Sequence, residues 1–364
     1  MKKICYLGGA ISIHVQRWAN YFVEHGWEVH IITKEYAKNG LHPNIKQHVS
    51  PAFFPQSIHK LNFPIHLHNI NKIIKSIKPD ILHAISIESY GAYTGFIKSK
   101  AIVLTGWGFK HTMTSKGLQK WIERRALKKA DVVHVDSQDL KDAIVKYGCD
   151  ENKVVVIPWG VNVKMFNPDI NGSEVRQKLD LEGSPVVISI RNFEPEYNIE
   201  CLINAIPFIL NAIPETKFII KGTGTLESKL KQMVKDLGVW KSVRFAGRSS
   251  YNKIPQYLKS ADIYVSTSLM DGGSVSLQEA MACGLPVVVT DVPSNEEVIK
   301  NRWNGYVVPK KDSKSLAKKI ITLITDEEKQ KLFGKRNREI AEEVSDQDKC
   351  MRKIEEIYES LTKW

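Results

Sequence analysis

The chain has 364 residues, of which 43% are hydrophobic and 25% charged, and its formal net charge at pH 7 is +12. This composition is typical of a globular protein, and the length suits two domains of roughly 100–200 residues each. No apolar run reaches the roughly 18 residues that a membrane-spanning helix needs. The five cysteines are scattered without metal-binding spacing, which favours reduced thiols and a cytoplasmic location.

The charge is divided unevenly along the chain. Residues 1–165 contain 23 lysines and arginines against 12 acidic residues, whereas residues 166–364 contain 29 against 28. A basic first half predicts an anionic partner, such as a membrane surface, a nucleic acid or a charged substrate. No nucleic-acid recognition motif accompanies the basic residues, which are spread over several elements, so we expect no nucleic acid.

Short β-branched runs alternate with helical patterns through the first half of the chain. The runs are continuously apolar, as expected for parallel strands that helices cover on both faces. The first helical pattern, "HVQRWANYFVEHG", stops at Gly26. His66 and His68 have no partner at metal spacing, so they are predicted to lie on the surface. The predicted strands are KKICYLG (2–8), WEVHIIT (27–33), DILHAIS (80–86), AIVLTGW (101–107), DVVHVDS (131–137) and KVVVIPW (153–159).

The same alternation restarts in the second half, after a predicted linker at residues 161–173 that contains Pro, Asn and Gly. The chain ends in a predicted charged helix over residues 345–364, with Met351, Ile354, Tyr358 and Leu361 at helical spacing. Asp346 and Asp348 form an Asp-x-Asp pattern, but at a helix start the pattern favours capping over metal binding. The predicted strands here are PVVISIR (185–191), KFIIKG (217–222), SVRFAG (242–247), DIYVSTS (262–268) and PVVVTD (286–291).

This order of elements predicts an α/β protein with two Rossmann-like, doubly wound domains that face a central cleft. We expect the first domain over residues 1–163, the second over 164–344, and a terminal helix (345–364) that packs back toward the first domain. Ligands of open α/β sheets bind at the carboxyl ends of the strands, where the strand order reverses. The fold alone therefore predicts a two-domain ligand-binding protein without specifying a chemistry.

The stretch "SLMDGGSVSLQEAMACGLPVVVTD" (268–291) resembles an anion-binding loop flanked by acids. Gly272, Gly273 and Ser274 follow a predicted strand and precede a helix, whose start offers unpaired N–H groups to a diphosphate. Asp271 and Glu279 would then accept hydrogen bonds from the hydroxyls of groups on either side of that diphosphate. Ser276-x-x-Glu279 also fits a helix capping box, and the sequence supports the two interpretations equally.

An acid, seven residues, a glutamate and then "EAMACGLPVV" resemble the signature of the retaining family-4 glycosyltransferases with the glycosyltransferase-B fold. The resemblance covers nearly the whole chain. The loop at Gly8 and Gly9, "VIPWGVNVKMF", "ISIRNFEP", "KGTGTLESKL", "VRFAG" and "NRWNGYVV" all stand in the family's order. It implies transfer of a sugar from a nucleotide diphosphate to an acceptor, with retention at the anomeric carbon and without a bound metal or other cofactor.

The resemblance also implies roles for single residues of the donor site. Glu279 would hold the donor ribose, and Asp271 would bind hydroxyls of the donor sugar. Main-chain amides from Gly272 to Val275 would line the sugar and the phosphates. Arg191 matches the family's arginine on the diphosphate, which is expected to leave as its negative charge grows.

Other residues are expected at the edges of this site. The turn at Gly247 and Arg248 would meet the base through its main chain. Gly8 and Gly9 would lie opposite, where the donor phosphate and the acceptor converge. His14 follows them at a predicted helix start, where an acceptor contact and a capping role are equally compatible with the sequence.

The sequence departs from the family pattern at three places. Asp271 stands where the first acid is usually glutamate. The family's lysine, a few residues after its arginine, is replaced in "RNFEPEYNIE", which has Tyr197 and Asn198 there. Lys221 could supply the second cation, although a solvated lysine at a strand end is at least as well supported. A histidine common in the first domain is also absent; "LTGWGFKH" offers Trp107, Lys110 and His111, to which no role is transferred.

The sequence therefore predicts a metal-independent, retaining glycosyltransferase that takes a UDP- or GDP-sugar and moves a hexosyl or N-acetylhexosaminyl group. The expected acceptor is a saccharide or a lipid-linked molecule of cell-envelope polysaccharide or glycoconjugate synthesis. Two alternatives stay open: a nucleotide-sugar-binding protein without turnover, and a nicotinamide oxidoreductase on two Rossmann domains. The chain has no G-x-G-x-x-G followed by an acid at the right distance, and this counts against the oxidoreductase.

The segment "WGFKHTMTSKGLQKWIERRALKKA" (107–130) predicts contact with an anionic membrane at the inner face of the cell. On a helix, an apolar face would adjoin a row of basic side chains, as in helices that lie in a membrane interface. The alternative is that the apolar face packs on its own sheet. The apolar face comprises Leu118, Trp121, Ile122 and Ala126, preceded by Trp107, Phe109 and Met113; the basic side chains are Lys120, Arg124, Arg125, Lys128 and Lys129.

Overall fold

The computed structural model describes residues 1–50, 59–106 and 115–363, with only the main chain for residues 59–62. The chain divides into two compact units. The first comprises Met1–Pro158 together with the chain from Met351 onward, and the second comprises Trp159–Cys350. Within the described ranges, no helix combines the length and apolarity that crossing a membrane requires.

The first unit is built on a seven-stranded sheet in which the paired strands run parallel. Its strands are β1 (Lys3–Leu7), β2 (Glu28–Thr33), β3 (Lys46–Val49), β4 (Ile81–Ile85), β5 (Ala101–Thr105), β6 (Val132–Val135) and β7 (Val154–Val156). Their order in the sheet is β3-β2-β1-β4-β5-β6-β7. β4 and β5 are buried at every residue, which explains their unbroken apolar sequences.

Four helices accompany these strands in the described part of the first unit before the chain passes to the second. They are α1 (Ile13–Glu24), α2 (His59–Ile77), α3 (Gly117–Lys129) and α4 (Gln138–Tyr147). Local sequence sets the ends of α4: the Ser137 side chain accepts a hydrogen bond from the Leu140 N–H at its start. Gly148 ends the helix with a φ of 115°, a left-handed conformation that favours glycine.

The second unit is built on a six-stranded parallel sheet of order β10-β9-β8-β11-β12-β13. Its strands are β8 (Val186–Ser189), β9 (Lys217–Ile220), β10 (Val243–Phe245), β11 (Ile263–Ser266), β12 (Val287–Thr290) and β13 (Gly305–Val308). Its helices are α5 (Ser173–Lys178), α6 (Ile199–Ala212), α7 (Glu227–Asp236), α8 (Ile254–Lys259), α9 (Val275–Ala282), α10 (Pro293–Val298), α11 (Ser313–Ile324) and α12 (Glu327–Val344).

Both sheets have the strand order of a doubly wound fold, which confirms the predicted pair of Rossmann-like domains. The order reverses between β1 and β4 in the first sheet and between β8 and β11 in the second. At such a reversal the connections leave in opposite directions and open a crevice at the carboxyl ends of the two strands. The loops after β8 and β11 are therefore expected to form a ligand site in the second unit.

Two observed strands are missing from the sequence-based set. β3 has the sequence KQHV, in which every residue is at least partly exposed, so it carries no apolar run. β13 has the sequence GYVV and begins at a glycine, which shortens its apolar pattern. Both are outermost strands of their sheets, but only β3 is exposed; β13 is buried at three of its four residues, so the glycine at its start and not exposure interrupts its pattern.

The predicted linker at residues 161–173 packs into the second unit. Val161 N–H donates to the Ser345 carbonyl at 2.7 Å, and Phe166 is fully buried in the core of that unit. The observed division after Pro158 therefore precedes the boundary that the sequence suggested between residues 163 and 164. Apolar residues in a Pro- and Asn-containing stretch explain this difference.

The terminal helix α13 (Gln347–Thr362) packs on the first unit. Met351, Ile354 and Tyr358 of the predicted stripe are buried, and the Tyr358 ring stacks on Phe22 with 4.9 Å between centroids. Asp346 lies just before the helix, and its Oδ1 accepts from the Asp348 N–H at 2.8 Å. This bond satisfies a free N–H of the first turn and confirms the capping interpretation of the Asp-x-Asp pattern.

A chain of four buried hydrogen bonds crosses the core of the first unit. The Tyr358 hydroxyl contacts Nδ1 of His83, and Nε2 of His83 lies 2.6 Å from Oγ1 of Thr105. Thr105 Oγ1 lies 3.1 Å from Nδ1 of His134, and Nε2 of His134 lies 2.7 Å from the Ile157 carbonyl. Because a carbonyl only accepts, Nε2 of His134 carries a proton, and this sets the donor direction back to Tyr358. Burial lowers the pKa of both histidines, which are therefore neutral at pH 7.

His66 is not a surface residue, so that prediction is wrong. It lies inside α2, is 4% exposed, and its Nδ1 is 3.0 Å from the Ser50 hydroxyl. Proline and asparagine in the sequence suggested a loop, but Pro64 is accommodated within the helix. His68, on the same helix, is exposed as predicted.

Tyr358→Phe is expected to lower the free energy of unfolding by about 1–3 kcal/mol, because it leaves Nδ1 of buried His83 without its donor. Urea unfolding of the full chain measures this loss. The matched control is Tyr36→Phe, since Tyr36 is 62% exposed and its change should stay within about 0.5 kcal/mol. Equal effects of the two substitutions would contradict a stabilising role for the buried chain.

Candidate functional site

The loop after β11 leads into the start of α9. Ser274 is the N-cap residue of this helix, and its Oγ accepts from the Leu277 N–H at 3.3 Å. Ser276 lies within the helix and bonds to other side chains, so the Ser276–Glu279 capping box is wrong. Gly272 and the next two residues immediately precede the helix, where free N–H groups and the positive end of the dipole favour an anion.

Arg191 lies at this helix start, two residues after β8. It is 7% exposed, and its Nη1 donates to Ser274 Oγ at 2.5 Å and to Ser276 Oγ at 2.8 Å. Its Nη2 donates to Asp271 Oδ2 at 2.5 Å. The strand reversal thus brings the predicted arginine and the first predicted acid into direct contact, as an ion pair.

The Tyr197 ring covers the guanidinium of Arg191, with 4.2 Å between Cζ and the ring centroid. Such stacking is favourable because the ring face carries negative charge density. Burial is the largest single influence on Arg191 and lowers its pKa, but Asp271, Tyr264 and Tyr197 together outweigh it, so the pKa of Arg191 is raised. The Nε–H of Arg191 has no hydrogen-bond partner among the described residues.

Glu279, the second predicted acid, is 5% exposed within α9. The buried Tyr264 hydroxyl lies beneath the helix start, 2.9 Å from Ser276 Oγ. Burial is the main cause of the raised pKa of Tyr264, and the charges of Asp271 and Glu279 raise it further. Asp271 lies in the loop before α9 and Glu279 is the fifth residue of the helix, so the two acids flank the helix start along the chain.

Lys221 is not a solvated lysine. It follows β9, is 3% exposed, and its Nζ donates to the Gly247 carbonyl at 3.1 Å while lying 4.1 Å from the centroid of the Tyr257 ring. Burial lowers its pKa. Gly247 has a φ of 57° and open space where a Cβ would be, and Arg248 beside it is exposed. The turn after β10 is thus held by Lys221, which explains why that lysine is buried.

The remaining predicted site residues lie in the first unit, at its strand reversal. A Cβ on Gly8 would lie 3.2 Å from Val15 Cγ2, whereas a Cβ on Gly9 would meet nothing within 4 Å. His14 is the second residue of α1, whose N-cap position is held by Ser12. Burial, followed by the charge of Arg17, lowers the pKa of His14 to about 4, so the ring is neutral at pH 7.

Sequence reasoning missed three side chains around Arg191. Ser276 and Tyr197 contact its guanidinium, and Ser294 donates from Oγ to the Asp271 carbonyl at 2.9 Å. The sequence indicates position 197 only as the place where the resembled family has lysine. Trp107, Phe109, Lys110, His111 and Met113 lie outside the described residues.

Comparison with known proteins identifies the family. The family model described as "Glycosyl transferases group 1" matches residues 172–340, and the one described as "Glycosyl transferase 4-like" matches residues 3–137. The chain belongs to the family-4-type glycosyltransferases with the glycosyltransferase-B fold. This membership decides against the nicotinamide oxidoreductase, and the two matches fall on the two units of this glycosyltransferase.

Relatives and solved structures agree with this assignment. Over 276 residues this glycosyltransferase is 28% identical to the UDP-Gal:alpha-D-GlcNAc-diphosphoundecaprenol alpha-1,3-galactosyltransferase of Escherichia coli, covering 71% of this chain and 70% of the relative. Its fold is similar to sucrose-phosphate synthase of Thermosynechococcus elongatus, with a TM-score of 0.87, 19% identity and 99% of both chains covered. It is also similar to HepE of Anabaena in complex with UDP and glucose, with a TM-score of 0.85, 20% identity, and 99% and 100% covered.

Ser274→Ala is expected to lower the free energy of unfolding by about 1 kcal/mol, because it removes the N-cap of α9. Ser276→Ala leaves that cap in place and is the matched control, since both serines also bond Arg191. Thermal or urea unfolding distinguishes the two. No measurable loss for Ser274→Ala would contradict its capping role. A loss for Ser276→Ala would not restore the capping box, because this change also removes the partner of the buried Tyr264 hydroxyl.

Proposed function

We propose that this glycosyltransferase moves a hexosyl or N-acetylhexosaminyl group from a UDP- or GDP-sugar, with retention at the anomeric carbon and without a bound metal. One observation carries the proposal: Arg191 and the start of α9 converge at the strand reversal, with Asp271 and Glu279 beside them. A diphosphate suits the cation and the helix start, and hydroxyl-rich groups on either side of it suit the acids.

In this proposal the protein acts mainly by electrostatics. Negative charge grows on the diphosphate as the sugar leaves, and the Arg191 guanidinium and the N–H groups from Gly272 to Val275 stabilise it. These groups are held before the reaction begins, because Ser274 and Ser276 fix the guanidinium. Fixed donors need no reorganisation when the charge develops, which is what lowers the barrier.

The two acids divide the donor between them. Glu279 accepts hydrogen bonds from the ribose and Asp271 from the sugar, as the family resemblance implies. Retention then follows from displacement on one face of the sugar, in which the departing phosphate takes the proton of the acceptor hydroxyl. The main chain of Gly247 and Arg248 contacts the base, and buried Lys221 holds that turn in place.

We propose an acceptor that is a saccharide or a lipid-linked molecule of the cell envelope. The named relative of Escherichia coli acts on a sugar carried by a diphosphate lipid, and this supports an acceptor of the same class. Gly9 offers open space for such a group, and neutral His14 follows it at the start of α1. We assign the acceptor or phosphate side to Gly8, Gly9 and His14.

A screen of nucleotide sugars for slow donor hydrolysis tests this function without knowledge of the acceptor. One UDP- or GDP-sugar should be hydrolysed, and the activity should survive EDTA. Glu279→Gln should weaken donor binding by about 1.5–3 kcal/mol, because it weakens hydrogen bonds to a charged acceptor. Arg191→Ala should lower turnover more than binding, since its charge counts most in the transition state.

Three outcomes would overturn parts of the proposal. Loss of activity in EDTA that Mg²⁺ or Mn²⁺ restores would mean that a metal supplies the missing second cation. Binding of a nucleotide sugar without turnover under any condition would favour the binding-protein alternative. Unchanged donor kinetics in Glu279→Gln would remove that residue from the ribose.

We also propose that the first unit docks on an anionic membrane through α3. Leu118 and Trp121 are 68% and 53% exposed, and Trp121 lies beside the Phe96 ring. Ala126 and Leu127 are fully buried instead, so the apolar residues of α3 divide between the core and the surface. An exposed tryptophan and leucine on a basic helix suit the interface of a bilayer.

Three basic side chains of α3 are hydrogen-bonded within the first unit. Arg124 Nε donates to the Tyr147 carbonyl at 2.7 Å, Arg125 Nε donates to the Gly95 carbonyl at 3.0 Å, and Lys129 Nζ contacts the Ile97 carbonyl. These bonds hold the helix on its own unit. Replacing all of them with glutamine would therefore disturb the fold together with any membrane contact.

Co-sedimentation with vesicles tests the docking. The wild-type chain should bind vesicles that contain anionic lipid, and binding should fall as salt rises toward 0.5 M because screening shortens to a few Å. Leu118→Ser with Trp121→Ser should reduce binding severalfold. The matched control is Trp240→Ser, since Trp240 is 60% exposed on the second unit. Equal recovery with neutral and anionic vesicles would contradict docking on an anionic membrane.

A further inference from the structure

The guanidinium of Arg191 faces two anions in the proposed function, the Asp271 carboxylate and the diphosphate of the donor. Its Nη1 is committed to the hydroxyls of Ser274 and Ser276, and its Nη2 is committed to the Asp271 carboxylate. Arg191 is the only ion-pair partner of Asp271 within residues 1–50, 59–106 and 115–363. The Nε–H has no hydrogen-bond partner among the described residues, so a phosphate can bind it. A phosphate bound there competes with the Asp271 carboxylate for the charge of the same guanidinium and is repelled by that carboxylate.

Neither position 197 nor Lys221 supplies a second cation to Arg191. The position where the resembled family has lysine holds Tyr197, whose ring lies on the guanidinium and supplies no charge of its own. Lys221 is turned to the Gly247 carbonyl and the Tyr257 ring. Arg191 and Asp271 together are close to neutral, so the pair attracts an anion weakly until the carboxylate moves away.

The guanidinium does not depend on Asp271 for its position. Ser274, Ser276 and the Tyr197 ring hold it from other directions. The main chain of Asp271 is held separately, because its carbonyl accepts from Ser294 Oγ at 2.9 Å. A change of side-chain rotamer at Asp271 can therefore break the pair while the arginine and the loop stay in place.

We propose that the donor's phosphate replaces the Asp271 carboxylate on Arg191, and that the released carboxylate binds the sugar hydroxyls. This inference rests on the proposed function. A nucleotide sugar compensates the broken ion pair because its sugar gives Asp271 new hydrogen bonds. A nucleoside diphosphate without the sugar leaves Asp271 unpaired beside a like charge, which is unfavourable. The exchange makes the site favour the donor over the product that remains after transfer.

Titration calorimetry with UDP and GDP tests the exchange on the full chain. Asp271→Asn should bind the accepted nucleoside diphosphate roughly tenfold more tightly than wild type, because it removes the competing charge. Its binding of the nucleotide sugar should improve less, since the amide accepts sugar hydrogen bonds less well. The control is Asp236→Asn, which removes the same charge at an exposed position on the same unit and should change neither affinity.

A second variant adds a positive charge instead of removing a negative one. Tyr197→Lys supplies a second cation beside Arg191, and it too should tighten binding of the nucleoside diphosphate severalfold. Thermal unfolding with each variant establishes that it is folded. If wild type binds the nucleotide and both variants bind it no more tightly, the exchange is wrong and the proposed function stands. If no variant and no wild-type chain binds UDP or GDP, the proposed function itself fails.

Discussion

The reversal of strand order between β8 and β11 is the constraint on which the candidate site depends. It sends the two following connections to opposite faces of the sheet and leaves their first residues side by side. Arg191 and Asp271, which are 80 positions apart in the sequence, thereby come into hydrogen-bond contact. The start of α9 lies at the same edge of the sheet. The strand order alone therefore places a cation, two acids and the N–H groups of a helix start in one region.

Most of the architecture could be predicted from the sequence, because buried parallel strands are continuous apolar runs and glycine or serine marks many helix ends. β3 could not be predicted because it is exposed and polar, and β13 because its apolar run is only three residues long after a glycine. The candidate site could be predicted as a set of residues but not as a network. The sequence does not distinguish Ser274 from Ser276 as the N-cap residue, and it does not show that Lys221 is buried. Both properties depend on tertiary contacts between side chains.

The basic helix α3 illustrates the same limit in the first unit. Its sequence alone suggests one apolar face and one charged face, but the structure divides the apolar residues between the core and the surface and leaves the basic side chains exposed or partly exposed. Arg124 and Arg125 donate to carbonyls of neighbouring segments and also lie over aromatic rings. These arginines stay exposed, so they contribute positive charge to the surface. The same side chains also hold α3 in place through their hydrogen bonds.

The departure from the resembled family at position 197 is physically consistent with the rest of the cluster. A lysine beside buried Arg191 would place two cations at one helix start, where the dipole is also positive, and further anions would be needed to balance them. Tyr197 instead stacks on the guanidinium and adds no charge, so the single carboxylate of Asp271 is enough to pair with the guanidinium. The shorter acid fits this arrangement, since Asp271 reaches Nη2 at 2.5 Å from a loop whose main chain Ser294 holds in place. The residues at positions 197 and 271 are therefore coupled. Because Tyr197 adds no second cation, one short acid is enough to pair with Arg191, and the tyrosine ring covers the guanidinium.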